Sequence, residues 1–543
     1  MPRLSVFKPT EDQPGELPQE QKADATQGTQ IRARQSIQTL EKLTTFMGDT
    51  QLLRAAPLWR VLRRRAAVFA KPQGTAEDYE LSKVVDKIDH FISHNWSVHR
   101  INKFLGLAFH FNFHRALLMA GFATAASAGA TMVGLLPRID AGKAEDAVQR
   151  GIFSTTLVVP TFLIVLCSGH ELLRFAGRRC PKVFLDKVCI HQTDEALKAE
   201  GIKKLGAFIR ASDHMLVIFT EVYLEKLWTV YEMACFLTLH PDDHLIVVPT
   251  YLPTTILSGI IFMYLAGLAN ILLKSIATGF DASYICYPLA LFGLGLVLRH
   301  AVRTKEAIRQ RTRRFRLEEC RCVVEDDRQW VFGNIKVLME STGAVASDAP
   351  VEQVHRAFEG IVRRRFSKAL IGSLGNLGLS YVQVVAMTSL TLMPVCLDSF
   401  ILAELRLPHE HAVPFRVSRA LYDLTCVFGT FPVAVALLSR WCGCCLHLHG
   451  KHEFAFLAGG WVLSIAFTIL LDVPIWYVAT TPLRLSSTNR DNYLAIAGMV
   501  LIWLSSTLLA VALFGAPVRL REAEPAAAAR ATAKAAARTA AAV

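Results

Sequence analysis

Several common targeting and domain signatures are missing from this sequence. The first 34 residues, Met1 to Arg34, are polar and lack the apolar core of a secretory signal. We therefore expect segment 1–34 to remain in the cytosol and to be disordered, because it carries too little apolar surface to fold. No internal repeat is visible, which argues against a repeat architecture.

The cysteines follow neither a disulfide nor a zinc pattern. The chain has 12 of them without regular spacing, and several lie in apolar runs, so we expect no disulfides. The densest Cys/His cluster consists of Cys442, Cys444, Cys445, His447, His449 and His452. Such side chains suit zinc or copper, but the spacing C-x-C-C-x-H-x-H fits no zinc module. Palmitoylated or inert cysteines are the alternative, so we predict no metal site.

Aromatic residues do not interleave with the basic ones, which argues against nucleic-acid binding. The net charge is +13, from 59 Lys and Arg against 46 Asp and Glu. The basic residues cluster beside long apolar runs. We therefore expect them to contact lipid headgroups and predict no nucleic-acid partner.

Long apolar runs dominate what is present. Of 543 residues, 52% are hydrophobic, which is high for a soluble protein of this length. Runs of about 18 to 25 residues, enough to cross a bilayer core, predict about eight membrane spans. The predicted spans are Ala116–Leu136, Ile152–Leu173, Thr254–Leu273, Tyr284–Val302, Gly378–Leu402, Leu421–Leu438, Phe454–Val478 and Tyr493–Phe514.

Charge asymmetry predicts the orientation of these spans. An even number of spans places both termini on one side of the membrane. The connection from Arg303 to Lys368 carries a dense basic set that includes the triplet 363–365, whereas the opposite connections are short and sparsely charged. The positive-inside rule therefore places this connection and both termini in the cytosol. The sequence does not identify which membrane is crossed.

Four apolar segments predict strands of a parallel sheet. They are Ile88–Ser93, Val183–Ile190, Met215–Phe219 and Leu245–Pro249. Polar residues follow the first two, as they follow parallel strands where the loops carry chemistry. Ligand sites in such sheets lie at the carboxyl ends of the strands.

Motifs at the ends of these segments resemble a Toll/interleukin-1 receptor (TIR) domain. F-I-S-H-N-W occupies residues 91–96, D-K-V-C-I-H-Q occupies 186–192, and Tyr223 precedes a W-x-x-x-E pair, Trp228 and Glu232. Their order resembles that of divergent TIR-like domains in polytopic membrane proteins of protists and algae. The resemblance implies an α/β fold with a flavodoxin-like parallel sheet, attached to the membrane helices.

About 90 residues separate the first two predicted strands, and two predicted spans fill that gap. We therefore expect one cytosolic sheet that is split by a membrane hairpin. We predict a helical N-terminal region over 35–80, followed by a TIR-like domain formed by 81–104 together with 174–251, with a transmembrane hairpin inserted at 105–173. A second hairpin follows over 254–302, and then a basic cytosolic helical subdomain over 303–373. The chain continues with a four-helix transmembrane region over 378–514 and an Ala-rich basic tail over 515–543.

The resemblance also implies a candidate catalytic residue. TIR enzymes cleave the nicotinamide–ribose bond of NAD, and Glu232 matches the position of their catalytic carboxylate. A carboxylate can stabilise the ribosyl cation of that reaction. Candidate NAD-binding residues are Trp228, Ser93, His94, Asn95 and Asp186. The structural alternatives are a packing role for Trp228 and Glu232, and ion pairs of Asp186 and Lys187 with each other or with a neighbouring helix. Phosphate-cradling glycines are absent.

Three functions follow from these features, and one of them is purely structural, with eight spans that anchor a protein-interaction module. The first is signalling by the TIR-like domain, through self-association into a homo-oligomer or through NAD hydrolysis. The second is a channel or transporter that this domain regulates. Asp398 and Asp472 would favour the second if they face a bundle interior, because intramembrane carboxylates are costly. If both instead reach the headgroup region, they carry no such role.

Overall fold

The protein is described by a computed structural model that covers residues 38–141, 148–240, 244–276, 283–322, 324–375, 377–400, 409–446, 453–467, 469, 473–480 and 488–515. The predicted disordered segment 1–34 and the tail after residue 515 lie outside these described residues.

The central element is a six-stranded sheet. The strands in chain order are β1 Arg54–Pro57, β2 Lys83–Val84, β3 Ile88–Ser93, β4 Ile139–Ala141, β5 Val148–Arg150, β6 Lys182–Phe184, β7 Ser212–Phe219 and β8 Leu245–Pro249. The sheet has the order β2-β1-β6-β3-β7-β8, and β4 pairs with β5 as a separate antiparallel hairpin.

Helices surround this sheet and continue away from it. In chain order they are α1 Leu58–Ala66, α2 Ala76–Tyr79, α3 Arg100–Met132, α4 Phe153–Phe175, α5 Asp186–Cys189, α6 Glu195–Lys203, α7 Leu205–Arg210, α8 Leu227–Leu239, α9 Tyr251–Ile276, α10 Ser283–Arg313, α11 Glu325–Ser341, α12 Val351–Ile361, α13 Ser367–Leu374, α14 Tyr381–Phe400, α15 His409–Thr425, α16 Phe431–Cys444, α17 Glu453–Phe467, α18 Val473–Ala479 and α19 Asn489–Gly515.

Strand β3 lies between β6 and β7 and pairs in parallel with both. Its register aligns His90 with Val183 on one side and Ser93 with Val217 on the other. Strand β7 then pairs in parallel with β8. Residues 215–219 of β7 are all buried, as expected for a strand covered on both faces. The parallel part therefore joins β3 to strands that follow residues 105–173, the predicted membrane hairpin.

The sheet is mixed, although the sequence predicted a parallel one. Strand β1 pairs antiparallel with β6 and with β2. Strands β1 and β2 both come from residues 54–84. The predicted helical region 35–80 thus contributes a strand in addition to α1 and α2. Side-chain bonds from Arg54 to the hydroxyl and carbonyl of Ser82, both 2.9 Å, hold β1 and β2 together.

The segment predicted as one strand over Val183–Ile190 is a short strand followed by a helical turn. Strand β6 ends at Phe184, and the N–H groups of Val188 and Cys189 donate to the carbonyl of Leu185, at 2.9 and 2.8 Å. These bonds close the turn α5, so the backbone can no longer pair with a neighbouring strand. The prediction of an extended strand beyond Phe184 is therefore wrong.

Helix α3 packs on the sheet and also enters the apolar hairpin. Its first turns bury Phe104, Leu107 and Ala108, and Gly106 lies against the side chain of Val248 in β8. Its second half exposes large apolar side chains such as Leu118 and Phe122. Helix α3 therefore runs without a break from the sheet into the apolar hairpin that it forms with α4.

Five described helical segments are long and apolar enough to cross a membrane. They are Phe153–Phe175, Tyr251–Leu273, Tyr284–Arg313, Arg416–Cys444 and Asn489–Gly515, and each coincides with a predicted span. These segments fit a multi-pass membrane protein. The other three predicted spans fall in α3, in α14, and in α17 with α18, so the total of eight stays a prediction.

The predicted cytosolic segment 303–373 contains helices that pack beside the sheet. Helix α11 contacts α8 through Trp330, whose ring centroid lies 5.7 Å from that of Trp228. The ring of Phe366, just before α13, lies 4.8 Å from Phe219 at the end of β7. The backbone N–H of Leu227 donates to the carbonyl of Arg321 at 3.0 Å. These contacts fix the helices against the carboxyl end of β7.

Lys187 attaches the N-terminal region to the sheet. Its side chain is only 7% exposed, and its Nζ donates to the carbonyls of Val68 and Lys71, both at 3.1 Å. It also pairs with the carboxylate of Asp78 at 3.1 Å. The sequence analysis gave an ion pair with a neighbouring helix as the structural alternative for Lys187. Lys187 forms such a pair with Asp78 of α2.

Replacing Lys187 with Met should destabilise the α/β domain, because Asp78 and two carbonyls lose a buried cation. Breaking a buried pair on one side costs about 3–5 kcal/mol. The measurement is the melting temperature of the detergent-solubilised chain. The matched control is Lys198→Met, since Lys198 pairs with Glu195 on the surface and should change stability by about 0.5 kcal/mol or less. Equal shifts for both variants would contradict the assigned role.

Candidate functional site

The predicted site residues meet at the carboxyl end of β3. Ser93 is the last residue of this strand and is fully buried. Its hydroxyl donates to Glu232 Oε2 at 2.5 Å and lies 2.6 Å from the hydroxyl of Tyr223. Helix α8 carries Glu232, and the turn 223–225 before it carries Tyr223. Three separate elements thus meet in one hydrogen-bonded group.

Burial dominates the proton affinity of Glu232. Loss of hydration raises its pKa to about 8, the bond from Ser93 opposes this shift, and the negative charge of Asp186 adds to it. Burial therefore favours the protonated form of this carboxyl group. It can accept the bond from Ser93 on one oxygen and carry a proton on the other.

Tyr223 is a member of this group to which the sequence analysis assigned no role. Burial and the nearby Glu232 raise its pKa well above the usual value, so its hydroxyl stays protonated. The hydroxyl of Thr229 donates to the carbonyl of Tyr223 at 2.6 Å and fixes the turn that carries it. In the sequence, only the position of Tyr223, five residues before Trp228, indicated that this residue belongs to the site.

A second group surrounds Asp186. The indole N–H of Trp96 donates to Asp186 Oδ2 at 3.0 Å, and the backbone N–H of Lys187 donates to Oδ1 at 2.7 Å. His94 Nε2 lies 3.7 Å from Oδ1, which is too far for a hydrogen bond. The turn α5 therefore aims the Asp186 carboxylate at the loop that follows β3.

Lys103 is the buried cation of this second group, and the sequence analysis missed it. It lies in the first turn of α3 with no exposed surface, and its Nζ is 4.7 Å from the ring centre of Trp96 and 5.1 Å from that of Phe69. Burial lowers its pKa to about 8, against the attraction of Asp186. Cation–π contacts thus take the place of hydrogen bonds to the ammonium group.

Several buried polar atoms here have no hydrogen-bond partner among the described residues. They are both ring nitrogens of His94, Nδ2 of Asn95 and Nζ of Lys103. Burial lowers the pKa of His94 to about 4, so the ring is neutral. Asn95 uses its Oδ1 to accept from the N–H of Ser97 at 3.0 Å. Buried groups left unbonded are costly, and their collection at one place is typical of a binding site.

Trp228 contacts helix α11. Its indole N–H donates to Asp327 Oδ2 in α11 at 3.1 Å, and its ring packs on Trp330 and Tyr231. The structure therefore gives this residue a packing role between α8 and α11, which was the structural alternative. The structure does bring Ser93, His94, Asn95, Asp186 and Glu232 together.

The remaining candidates differ in how they are held. Asp398 is fully buried, and its Oδ2 accepts from the N–H and hydroxyl of Thr155, at 3.0 and 2.8 Å, next to the start of α4. Asp472, His447, His449 and His452 lie outside the described residues. Cys442, Cys444 and Cys445 are free thiols, and no group of described residues could hold a metal ion.

The chain was compared with known proteins by family, by sequence and by structure. No family model, no curated protein and no solved structure matches it. Its own site geometry is therefore the basis for a functional assignment.

Replacing Glu232 with Gln should change stability in a pH-dependent way. Because the pKa is raised in the folded state, the wild-type chain loses stability as the pH rises from about 4.5 towards 8, while the unfolded chain has already released its proton. The neutral Gln has no such cost. We expect the melting temperature of Glu232→Gln to exceed that of the wild type at pH 8.5 by more than at pH 5. Glu200→Gln, at an exposed position, is the control, and an identical pH dependence of both variants would refute the assignment.

Proposed function

We propose that the chain is a multi-pass membrane protein whose α/β domain is TIR-like, faces the cytosol and acts in signalling. The observation that carries this proposal is the bonding of Glu232 to Ser93 at the carboxyl end of β3. The motif residues of the W-x-x-x-E helix and of the first strand thereby share one site, as the resemblance implies.

The strand order supports the flavodoxin-like part of the proposal. Counting only the parallel strands, β3, β6, β7 and β8 are first to fourth in sequence, and their spatial order is second, first, third, fourth. The flavodoxin-like order 2-1-3-4-5 begins in the same way. In such sheets ligands bind outside the carboxyl ends of the strands, which is where Ser93 and Asp186 lie.

NAD hydrolysis is the enzymatic form of this function. The reaction needs a carboxyl group near the ribose and polar groups for the rest of the ligand. Glu232 would supply the carboxyl group, and the unbonded atoms of His94 and Asn95 would be available as polar partners. Ionised Glu232 would stabilise the positive charge that develops on the ribose as nicotinamide leaves. Ser93, by donating to Glu232, would favour this ionised form.

The test is NAD consumption by the detergent-purified full chain, at high protein concentration to favour self-association. We expect Glu232→Ala to lower turnover by about 100-fold or more, the effect of removing one electrostatic stabiliser. Glu200→Ala is the surface control and should keep full turnover. Undiminished turnover in Glu232→Ala would exclude Glu232 as the catalytic group.

Self-association without catalysis is the second form of the function. It is favoured by the engagement of both W-x-x-x-E residues in internal contacts, Glu232 with Ser93 and Trp228 with Asp327. This form predicts no NAD turnover and a concentration-dependent homo-oligomer. The mass of the detergent-solubilised chain, measured over a range of concentrations, tests it, and a monomer at all concentrations would argue against it.

The transport alternative has less support. The Thr155 bonds make Asp398 a cap for the start of α4, which gives its Oδ2 a structural role. We therefore keep a channel or transporter, with the TIR-like domain as its regulatory module, as the rival that ion flux in liposomes would detect.

A further inference from the structure

Three consecutive arginines, Arg63, Arg64 and Arg65, lie in an exposed turn that closes α1. The backbone of Arg63 is extended, and that of Arg64, Arg65 and Ala66 is left-handed, with φ of 52°, 55° and 55°. A left-handed backbone is unfavourable for every residue that carries a Cβ atom. Residues 63–66, which we call the arginine turn, are therefore strained.

Packing on both sides holds the arginine turn in place. Before it, Leu58 and Val61 are fully buried, and α1 packs on both helices of the apolar hairpin, α3 and α4. After it, Phe69 is buried, and Lys187 Nζ donates to the carbonyl of Val68 at 3.1 Å. The fold thus imposes the strained backbone and leaves the three arginine side chains at the surface.

The arginine turn lies beside an apolar helix. The guanidinium group of Arg65 is close enough to the thiol of Cys167 in α4 to interact with it electrostatically. Cys167 is exposed, about two turns before the end of α4, and Ile164 on the neighbouring turn is 64% exposed. Helix α4 is one of the segments long and apolar enough to cross a membrane. Basic groups beside the end of such a segment lie near the level of the lipid headgroups.

Positive charge around the turn is not compensated. The side chains of residues 63–65 make no ion pair and no hydrogen bond with the described part of the chain. A fourth arginine, Arg174 near the end of α4, lies 4.0 Å from the ring centre of Trp59 in α1. The one acidic residue of α4, Glu171, forms no ion pair with any described residue. Four arginines beside one glutamate favour an anionic partner.

We propose that the arginine turn binds the headgroups of anionic phospholipids. A guanidinium group can bind a phosphate through two parallel N–H donors, and anionic membrane surfaces attract basic groups beside a span. The exposed apolar side chains of α4 next to the turn match the acyl chains of a lipid, which a soluble anion lacks. The fixed backbone also holds the three arginines together before a lipid arrives, so less freedom is lost on binding.

Only the fold brings this surface to the membrane. Residues 63–65 precede the first predicted span by about 50 residues in the sequence and belong to the N-terminal region. The inference rests on the proposed placement of α4 in a membrane. It is independent of the proposed NAD chemistry.

The test is a titration of the detergent-purified full chain with dioctanoyl phosphatidylglycerol, and with dioctanoyl phosphatidylcholine for comparison. The measurement is the rise in melting temperature with lipid concentration, which gives an apparent affinity. The variant R63Q/R64Q/R65Q should weaken the affinity for phosphatidylglycerol by about 100-fold. Each basic group near an anionic surface contributes about fivefold, so three of them account for this factor.

The matched control removes the same charge elsewhere. R313Q/R314Q/R316Q changes three exposed arginines at the end of α10 and just after it, and should alter the affinity little. A second variant, R64G/R65G, separates binding from folding. Glycine accepts left-handed angles without strain, so this variant should raise the melting temperature without lipid and still weaken the response to phosphatidylglycerol.

A response to phosphatidylglycerol that exceeds the response to phosphatidylcholine, and that only the variants of the arginine turn lose, would support the proposal. Equal responses to the two lipids, or equal affinities of R63Q/R64Q/R65Q and the wild type, would overturn it. Equal stabilisation by glycerol 1-phosphate would also overturn it, since it would indicate a soluble phosphate ester. Extraction of the wild-type chain from membranes by sodium carbonate would overturn both this inference and the membrane part of the proposed function, whereas the lipid titration alone tests only the inference.

Discussion

The continuity of helix α3 is the constraint on which the rest of this structure depends. Its 33 residues extend for about 50 Å, at about 1.5 Å per residue. One end packs on β7 and β8 and brings Lys103 into the candidate site, and the other end forms the apolar hairpin with α4. Because a single helix serves both parts, the sheet cannot move far from the hairpin without bending α3. The site and the apolar helices therefore form one mechanical unit.

Burial, more than ion pairing, sets the charge of the candidate site. It raises the pKa of Glu232 and lowers those of His94 and Lys103. Each of these shifts favours the neutral form, because hydration of a charge is lost in all three cases. Asp186 is more exposed and keeps the hydrogen bonds that suit a carboxylate. A charged ligand in this site would interact strongly with Lys103 and Asp186, because electrostatic interactions are stronger where burial lowers the local dielectric constant.

The sequence predicted the parts of the fold that local patterns determine. The apolar runs gave β3, β7 and β8 closely, and five predicted spans coincide with long apolar helices. Strand β1 could not be predicted, because Arg-Ala-Ala-Pro has little strand preference and is held by tertiary bonds to Ser82. The helical turn at Asp186 was missed because its apolar residues fit a strand equally well.

The candidate site was predicted in part for a similar reason. Motif residues near strand ends, such as Ser93 and Asp186, were found because parallel strands gather their carboxyl ends. Lys103 was not, since a lysine at the start of a helix usually extends into solvent and only the Trp96 and Phe69 rings make its burial tolerable. The contacts of Trp228 with α11 were also beyond prediction, because about 100 residues separate the two partners in sequence.

The two edges of the sheet limit how copies of this chain can associate. Strand β2, at one edge, has only two residues, both exposed and one of them a lysine, and β8, at the other edge, is contacted by α13. Short, charged or covered edges discourage the addition of a strand from another molecule. Within the described part of the chain, continuous sheet formation between copies is thus disfavoured. A homo-oligomer of this domain would therefore use helix and loop surfaces rather than strand addition.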